Sequence, residues 1–328
     1  MNHRVLKFLD STSGAVRILS IDFAKAFDRL PHIAIIDSIL DLRLPRQAVI
    51  WIQDFLTNRV QSVRISNEIS EAICVPSGVP QGSVIGPLLF CAVIYKLSTK
   101  CTNSDIITYA DDVSILHYVR VPKDDHLEEE WKNVVAWSDR VGLPINQAKC
   151  SVLDVVTKRG LSLAPVPGVC HVDSIRILGV IFSCDLSWRR HIDHVVSKAS
   201  KRMFILRNLR RSGCSVDTMR LVYCCLIRSV LLYAFPAMYN LPACLYDKLR
   251  KVEKRASRII GHPLNTDLEQ SADAICNKLF NKVTKSLDHS LHELFLHRDP
   301  TSRNPCVLRP PLTRTRRLMR SFIRYCPS

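Results

Sequence analysis

Hydrophobic positions follow two different patterns along this chain, and the change of pattern predicts two kinds of structure. The first half carries short apolar runs rich in β-branched residues, which is typical of strands. These runs are residues 16–21, 106–109, 113–116 and 175–182, the last interrupted by Gly179. Between them, three- and four-residue spacing of apolar positions predicts helices at 33–42 and 127–137.

The second half shows helical spacing almost throughout. Apolar residues from 192 to 209 recur at three- and four-residue steps, with lysines and arginines on the other faces. A second helix is predicted after Ser215, a favoured N-cap residue, and a third at 246–261, where Gly261 suits the C-cap. The predicted fold class is α+β, with a mixed first half followed by an all-helical part.

Composition indicates a compact, ordered protein. The 328 residues are 47% hydrophobic and 23% charged, and the 13 cysteines include no CxxC pair. We expect reduced, mostly buried thiols in an intracellular protein, nuclear or cytoplasmic and not secreted, because the N-terminus also lacks the apolar stretch of a signal peptide. The apolar segment 221–239 has Arg228 near its middle, which predicts a buried helix and no membrane contact.

The net charge of +16 is concentrated in two segments of the chain. Residues 1–188 have a net charge of −1, residues 189–258 of +12, residues 259–300 of −2 and residues 301–328 of +7. Two basic segments after a neutral half indicate a polyanionic partner that the predicted basic helices contact.

Three carboxylates lie where strands are predicted to end. Asp22 closes the strand at 16–21, and Asp111 and Asp112 lie between the two strands of a predicted hairpin. If all three lie in one sheet, they form an all-oxygen cluster of the kind that binds Mg²⁺ or Mn²⁺, and two such ions support in-line phosphoryl transfer. The alternative is that the Asp pair only serves a turn, where aspartate is a favoured residue.

Five segments carry a resemblance to a known family. They are Ser20-Ile-Asp-Phe-Ala-Lys-Ala-Phe-Asp-Arg-Leu-Pro-His32, Gly78-Val-Pro-Gln-Gly-Ser-Val-Ile-Gly-Pro-Leu-Leu-Phe90, Tyr109-Ala-Asp-Asp112, Gly142-Leu-Pro-Ile-Asn-Gln-Ala-Lys-Cys150 and Leu178-Gly179. In order and spacing the set resembles palm motifs A to E of reverse transcriptases. The residues within each motif resemble those of the non-LTR (LINE-type) retrotransposon branch. The resemblance implies an RNA-directed DNA polymerase with a right-hand polymerase palm, an antiparallel sheet with packed helices, followed by an all-α thumb.

The resemblance also implies roles for individual residues. Asp22 and Asp111 would bind two catalytic ions, Mg²⁺ or Mn²⁺, with Asp112 as a supporting carboxylate. Phe27 would lie under the sugar of the incoming nucleotide and select dNTPs, since an aromatic ring there clashes with a 2′-OH; the alternative is an ordinary core phenylalanine. Further substrate contacts are implied for Phe23, Gln81, Gly82 and Lys149, and primer contacts for Leu178 and Gly179. Lys149 would lie near the departing pyrophosphate, the alternative being a solvated loop lysine.

Three regions are expected along the chain. They are a palm with residual fingers elements at 1–188, a basic helical thumb at 189–262, and a C-terminal extension with an Arg-rich tail at 263–328. The thumb would follow the nucleic-acid backbone with basic residues, which are Lys198, Lys201, Arg202, Arg207 and Arg210. The implied partners are an RNA template, a DNA primer and dNTPs, with no membrane, and the oligomeric state stays open.

The segment before the first motif is short for this family. Only 21 residues precede Asp22, whereas the family places there a fingers region that grips the triphosphate. We therefore expect a chain truncated at its N-terminus, as in a 5′-truncated element or a partial gene model. Two functions stay open: a polymerase core, or a catalytically inactive retrotransposon remnant that only binds nucleic acid.

Overall fold

The protein forms two compact units. A computed structural model describes residues 1–158, 160–264, 267–286 and 288–295, together with positions 315, 318 and 322. We call Ser13–Leu178 the sheet unit, and Met1–Thr12 with Gly179–Ser328 the helical unit. The predicted boundaries between palm, thumb and C-terminal extension, at residues 188 and 262, divide the chain by function. They stay predictions.

The elements alternate in the sheet unit and are helical for most of the second half. The helices are α1 (Asn2–Ser11), α2 (Ala26–Arg29), α3 (His32–Asp41), α4 (Arg46–Leu56), α5 (Gly86–Ile94), α6 (Leu127–Val141), α7 (Arg189–Arg211), α8 (Val216–Val222), α9 (Ser229–Leu231), α10 (Ala243–Ile260), α11 (Leu268–Lys285) and α12 (His292–Phe295). The strands are β1 (Ala15–Ile21), β2 (Val60–Gln61), β3 (Arg64–Ile65), β4 (Glu68–Ile69), β5 (Ile73–Cys74), β6 (Ser104–Tyr109), β7 (Asp112–Val119), β8 (Ser151–Val156), β9 (Cys170–His171), β10 (Ser174–Ile177) and β11 (Val180–Ser183). Short 3₁₀ turns occur at Pro122–Asp124, Gln147–Lys149 and Phe235–Met238, and a π-helical segment at Tyr223–Arg228. The α+β class is confirmed, with predicted boundaries displaced by a few residues.

A five-stranded sheet in the order β6-β7-β1-β8-β9 organises the sheet unit. Its central strand β1 runs antiparallel to both neighbours, and Ser20 is paired with Ser114 on β7 and with Ser151 on β8. Almost every residue of β1 is buried, which explains why its apolar residues occupy positions on both faces and do not alternate strictly with polar ones. The last residues of β1 therefore lie beside the first residues of β7.

The core of the sheet unit lies between one sheet face and helices α3 to α6. Alternate residues of the strands, such as Leu19 and Ile21 on β1, point to this core because side chains of a strand alternate between faces. Phe90 of α5 and Trp137 of α6 pack against the same cluster. This packing holds the ends of the central strands in place.

Arg17 is a charged residue within the buried strand β1, and only 1% of it is exposed. Its Nη1 donates to Asp125 over 2.8 Å, and its Nε donates to Oδ1 of Asp154 over 2.9 Å. A buried guanidinium is tolerated because two carboxylates neutralise it.

The helical unit is built around α7 and α10. Buried residues recur along both helices at three- and four-residue steps, as predicted. The Ser215 side chain accepts a hydrogen bond from the backbone N–H of Thr218, and Gly261 has φ +84° at the end of α10, so both predicted caps are confirmed. The third helix begins three residues earlier than predicted, directly after Pro242.

The apolar segment at 221–239 is helical for most of its length, with the π-helical segment joining α8 to α9. The prediction of a buried helix holds for one face only, since Tyr223, Ile227 and Leu231 are buried whereas Leu221 and Tyr233 are more than half exposed. Arg228 is buried there and donates from Nη2 to the carbonyl of Asp267 over 2.8 Å and to the hydroxyl of Ser271 over 2.5 Å. Among the helices of the described ranges, none combines the length and hydropathy that crossing a membrane requires.

The cysteines differ from the expectation that most are buried. The eleven described cysteines are all free thiols, but only Cys150 and Cys276 are buried, and seven are exposed. The expectation was wrong because the small thiol is tolerated on outward-facing positions of helices and strands, and composition carries no information about which face a residue occupies.

Candidate active site

The three predicted carboxylates lie at the ends of two adjacent strands. Asp22 follows the last residue of β1, Asp111 lies in the turn after β6, and Asp112 begins β7. The register pairs Ile21 with Val113, so Asp22 and Asp112 are each one residue beyond that pair. Adjacent strands are about 4.8 Å apart. The condition set by the sequence is therefore met, since the strands that carry or border the three acids belong to one sheet.

The turn that carries Asp111 has an unusual backbone. Tyr109 is paired with Asp112, which leaves Ala110 and Asp111 as the two turn residues. Ala110 has φ +50°, a left-handed conformation that costs an L-residue about 1 kcal/mol or more. The pairing of β6 with β7 up to Tyr109 and Asp112 holds this turn conformation and fixes the positions of Asp111 and Asp112.

The carboxylates act on one another electrostatically. Partial burial raises the pKa of Asp112, and the negative charges of Asp111 and Asp22 raise it further. Lys149 lies close by, with Nζ 3.7 Å from Oδ1 of Asp22, but both side chains are substantially exposed. This exposed ion pair contributes little. The cluster of Asp22, Asp111 and Asp112, which we call the acidic corner, therefore keeps an excess of negative charge.

The segment that contains Lys149 is attached to the chain around Asp22 by backbone contacts. The N–H of Ala24 donates to the carbonyl of Pro144, and the N–H of Asn146 donates to the carbonyl of Asp22, each over 2.8 Å. The N–H of Asp22 also points to Sγ of Cys150 at 3.4 Å, and burial raises the pKa of this thiol. The first and fourth motif segments thus form one local structure.

The two phenylalanines that follow Asp22 have different surroundings. Phe23 is buried and packs against Trp137 with ring centroids 5.8 Å apart, so its side chain belongs to the core. Phe27 is half-buried and lines a cavity of about 560 Å³. Of the two side chains, the cavity-lining Phe27 is the one that can meet a substrate in that cavity.

The glycine-rich loop is anchored on the residues around Phe27. The N–H groups of Gly78 and Val79 donate to the carbonyls of Leu30 and Phe27, each over 2.8 Å. Gly78 has φ +89°, and a Cβ there would lie 2.8 Å from the carbonyl oxygen of Asp28, so only glycine fits. Gly82 has φ +85° but open space around it.

The cavity contains predicted and unpredicted residues. Gln81, which was predicted, is exposed and donates from Nε2 to Oδ1 of Asp28 over 2.8 Å. Asp28 and His32 were missed although they lie in the first motif segment, and His32 Nε2 lies 2.9 Å from the carbonyl of Gly78. Arg59 also lines the cavity, and no motif in the sequence marks it.

The predicted primer residues form a tight turn between β10 and β11. Leu178 and Gly179 have φ of +47° and +81°. Leu178 is exposed, whereas a Cβ on residue 179 would come within 3.2 Å of Tyr233 Cε1. The turn conformation and the aromatic neighbour together require glycine at position 179.

The five basic residues predicted on α7 divide into two groups. Arg202 donates to the carbonyl of Leu226, and Arg210 donates from Nη1 to the carbonyls of Arg258 and Ile259 over 3.0 and 2.6 Å. The others are exposed and have neither an ion pair nor a hydrogen bond from their side chains within the described residues: Lys198, Lys201 and Arg207. These three remain available to an anionic partner, whereas the first two support the fold.

The donor chemistry of the acidic corner fits a hard divalent cation. Asp22, Asp111 and Asp112 offer only carboxylate oxygens, and the pKa of Asp112 is raised by burial and then by the negative charges of Asp111 and Asp22, which a cation would neutralise. In the part of the chain that the structure describes, no three acidic, histidine or cysteine side chains are arranged as a metal cluster. The three residues therefore fit a divalent cation by the chemistry of their carboxylate oxygens and by their position at the ends of neighbouring strands.

Curated proteins and solved structures contain similar chains. The RNA-directed DNA polymerase from mobile element jockey of Drosophila melanogaster is 25% identical over 97% of this chain and 37% of its own length. The probable RNA-directed DNA polymerase from transposon X-element of the same organism is 25% identical over 94% of this chain and 35% of its own length. The chain thus spans little more than a third of these relatives. Telomerase from Candida tropicalis in complex with a TWJ fragment of telomeric RNA aligns with a TM-score of 0.42 and 12% identity, covering 88% of this chain and 50% of that one.

A family profile covers the whole acidic corner. The profile described as "Reverse transcriptase (RNA-dependent DNA polymerase)" matches residues 2–182. This range includes the paired ends of β1 and β7, the glycine-rich loop and the cavity beside it. Because the match takes in more than half of the chain, the chain belongs to the reverse transcriptase family.

Proposed function

We propose that this chain is the polymerase core of a non-LTR retrotransposon reverse transcriptase, which adds deoxynucleotides to a primer 3′ end on an RNA template. The observation that carries the proposal is the pairing of Ile21 with Val113, since it brings Asp22 to the acidic turn of the hairpin. Carboxylates that share one end of adjacent strands can hold the ions that phosphoryl transfer uses.

Divalent ions belong to the chemistry of this family. Asp22 and Asp111 would hold two Mg²⁺ or Mn²⁺ ions, and Asp112 would support them. When bound, the ions neutralise charge on the attacking and leaving oxygens of the transferred phosphoryl group. The excess negative charge at Asp112 supports this assignment, because a cation lowers the cost of holding three carboxylates together.

The chain's own residues would position the dNTP and the primer. Phe27 would lie under the sugar, and the 2.8 Å hydrogen bond to Asp28 would orient Gln81 toward the nucleotide. Lys149, next to Asp22, would neutralise charge at the pyrophosphate. The tight turn at Leu178–Gly179 would support the primer end.

The basic helices would hold the template–primer duplex. We assign palm function with residual fingers elements to residues 1–188, thumb function to 189–262 and an extension to 263–328. Three exposed cations of α7, Lys198, Lys201 and Arg207, support the thumb role, because none of them has a side-chain partner among the described residues and each can meet a phosphate. The partners in this proposal are an RNA template, a DNA primer and dNTPs.

Primer extension tests the proposal directly. The purified chain is supplied with a primed RNA template, dNTPs and Mg²⁺, and incorporation is followed on a gel. We expect Asp111→Asn to reduce incorporation by at least about 100-fold, because a preorganised charge is lost from the reacting centre. Asp105→Asn is the matched control, since Asp105 lies at the other end of the same hairpin and accepts from the Tyr118 hydroxyl over 2.8 Å.

Two results would overturn the proposal. Equal incorporation by the Asp111→Asn variant would remove the acidic corner from the chemistry. Nucleic-acid binding by the wild-type chain without incorporation under either Mg²⁺ or Mn²⁺, even when the fingers region of a full-length relative is supplied, would instead establish the alternative, an inactive remnant that only binds nucleic acid.

A further inference from the structure

Three side chains stack along one stripe of α4 and its C-terminal end. The rings of Trp51 and Phe55 have centroids 5.9 Å apart and planes inclined by only 17°. The guanidinium of Arg59 lies 5.0 Å from the centroid of the Phe55 ring, and its Nη1 donates to the carbonyl of Phe55 over 3.1 Å. Trp51 and Phe55 are four residues apart on α4 and therefore share one helix stripe, whereas Arg59 lies beyond the end of α4 and joins the stack through its contact with Phe55.

The outer end of this stack is open to solvent. Trp51 is 57% exposed, whereas Trp131 and Trp137 of the same unit are buried. Phe55 packs against the core, which holds the inner side of the stack in place. A large aromatic ring left in water on a rigid support is a common feature of binding surfaces.

The segment that carries the stack is rich in arginines, which favours an anionic partner. Residues 43–64 contain four arginines and a single acidic residue, Asp54. Arg43 and Arg46 are exposed and form no ion pair or hydrogen bond with their side chains in the part of the chain that the structure describes. An apolar protein partner would gain nothing from these free guanidinium groups, whereas a phosphate backbone would.

The inner end of the stack reaches the cavity that Phe27 lines. Arg59 lines the 560 Å³ cavity together with Phe27 and Gln81. A strand that lies on the stack is therefore continuous with the cavity in which the nucleotide is proposed to bind. This continuity favours the template over other nucleic acids.

We propose that Trp51, Phe55 and Arg59 form a stacking platform for the unpaired bases of single-stranded nucleic acid. The proposal rests on the proposed function, because the strand that would bind the platform is the RNA template before it pairs with the primer. The free face of Trp51 would accept a base, since every base offers a π-face whatever its identity. Duplex nucleic acid hides its base faces and would not use the platform.

Binding of a fluorescent single-stranded oligonucleotide to the full chain, without divalent ions or dNTPs, tests the platform. We expect Trp51→Ala to weaken binding about tenfold or more, because stacking on an aromatic side chain contributes about 1–3 kcal/mol per base. Ile50→Ala is the matched control: Ile50 is the neighbouring residue on α4, is 51% exposed and lies outside the stack. The control should change affinity by less than about twofold.

Salt dependence and base removal separate stacking from charge. Trp51→Ala should leave the slope of log K against log salt unchanged, whereas Arg46→Ala should reduce it by about 0.7, the value for one phosphate contact on a single strand. The wild-type chain should bind an abasic strand of the same length as weakly as the Trp51→Ala variant binds the normal strand. Trp51→Phe should restore most of the affinity, since it restores an aromatic face.

The outcome is independent of polymerase activity. Equal effects of Trp51→Ala and Ile50→Ala, or equal loss of duplex and single-strand binding, would overturn the platform. Urea unfolding of each variant guards against a loss of fold. A chain that incorporates no dNTP but shows the Trp51 effect contradicts the proposed function alone, whereas a chain that extends primers without the Trp51 effect contradicts this inference alone.

Discussion

Phe27 stacks on Phe90, with ring centroids 4.5 Å apart and planes inclined by 26°. Phe90 is fully buried in α5, whereas Phe27 is half-buried and lines the cavity. The core ring therefore supports the cavity ring and limits how far it can retreat. In this way core packing sets the wall against which a nucleotide sugar would lie.

Phe27→Ala is expected to relax the preference for dNTPs over ribonucleotides by about tenfold or more, because the missing ring leaves room for a 2′-OH. The ratio of kcat/KM for a dNTP and its ribonucleotide measures this. Phe90→Leu should relax the ratio less, because it removes the support and leaves Phe27 in place. An unchanged ratio in both variants would show that the ring does not meet the sugar.

Gly78→Ala should destabilise the sheet unit more than Gly82→Ala does. Both positions have positive φ, so each alanine pays about 1 kcal/mol or more for the left-handed backbone. At Gly78 the new Cβ also lies 2.8 Å from the carbonyl oxygen of Asp28, whereas nothing lies within 4 Å at Gly82. Urea unfolding at one pH compares the two free energies, and equal losses would contradict this account.

His117 should make stability depend on pH. Burial lowers its pKa below 6.5, and its Nε2 accepts from the N–H of His126 over 2.9 Å, which suits the neutral ring. Below about pH 6.5 the unfolded chain binds more protons than the folded chain, so stability present above that pH is lost as the pH falls toward the lowered pKa.

Urea midpoints at about pH 7.5 and about pH 5.5 measure this effect. The difference between the two midpoints should shrink in His117→Gln, because the variant no longer titrates at this position. It should stay unchanged in His194→Gln, a change at an exposed position of α7. Equal differences in the two variants would assign the pH dependence to other groups.

Arg207 and Arg210 should separate binding from stability, although they lie on the same helix. Arg210 donates to the carbonyls of Arg258 and Ile259 in the last turn of α10, so Arg210→Ala should cost about 1 kcal/mol of unfolding free energy. Arg207→Ala should leave stability unchanged and reduce the salt slope of duplex binding by about 0.9. The opposite assignment of the two effects would contradict the division of the basic residues.

Much of the local structure could be read from the sequence, because neighbouring residues determine it. The strand that ends before Asp22, the hairpin around Asp111 and the caps at Ser215 and Gly261 depend on short-range pattern and on turn and cap chemistry. The same patterns could not show that Phe23 is a core residue whereas Phe27 lines a cavity. Burial depends on α5 and α6, which are distant in sequence from both.

The sequence by itself determined that acidic residues follow two strands and that basic helices occupy the second half. It also showed a glycine at the start of a loop at position 78 and a glycine within a strand-like run at position 179. Only the tertiary structure decided which strands are neighbours, which of the α7 cations are already bonded to carbonyl groups, and that Arg59 connects an exposed tryptophan stack to the cavity. The physical reason is that pairing register, packing and hydrogen bonding join groups separated by tens of residues. Side-chain type alone fixes what a group can do, and its distant neighbours decide whether it is free to do it.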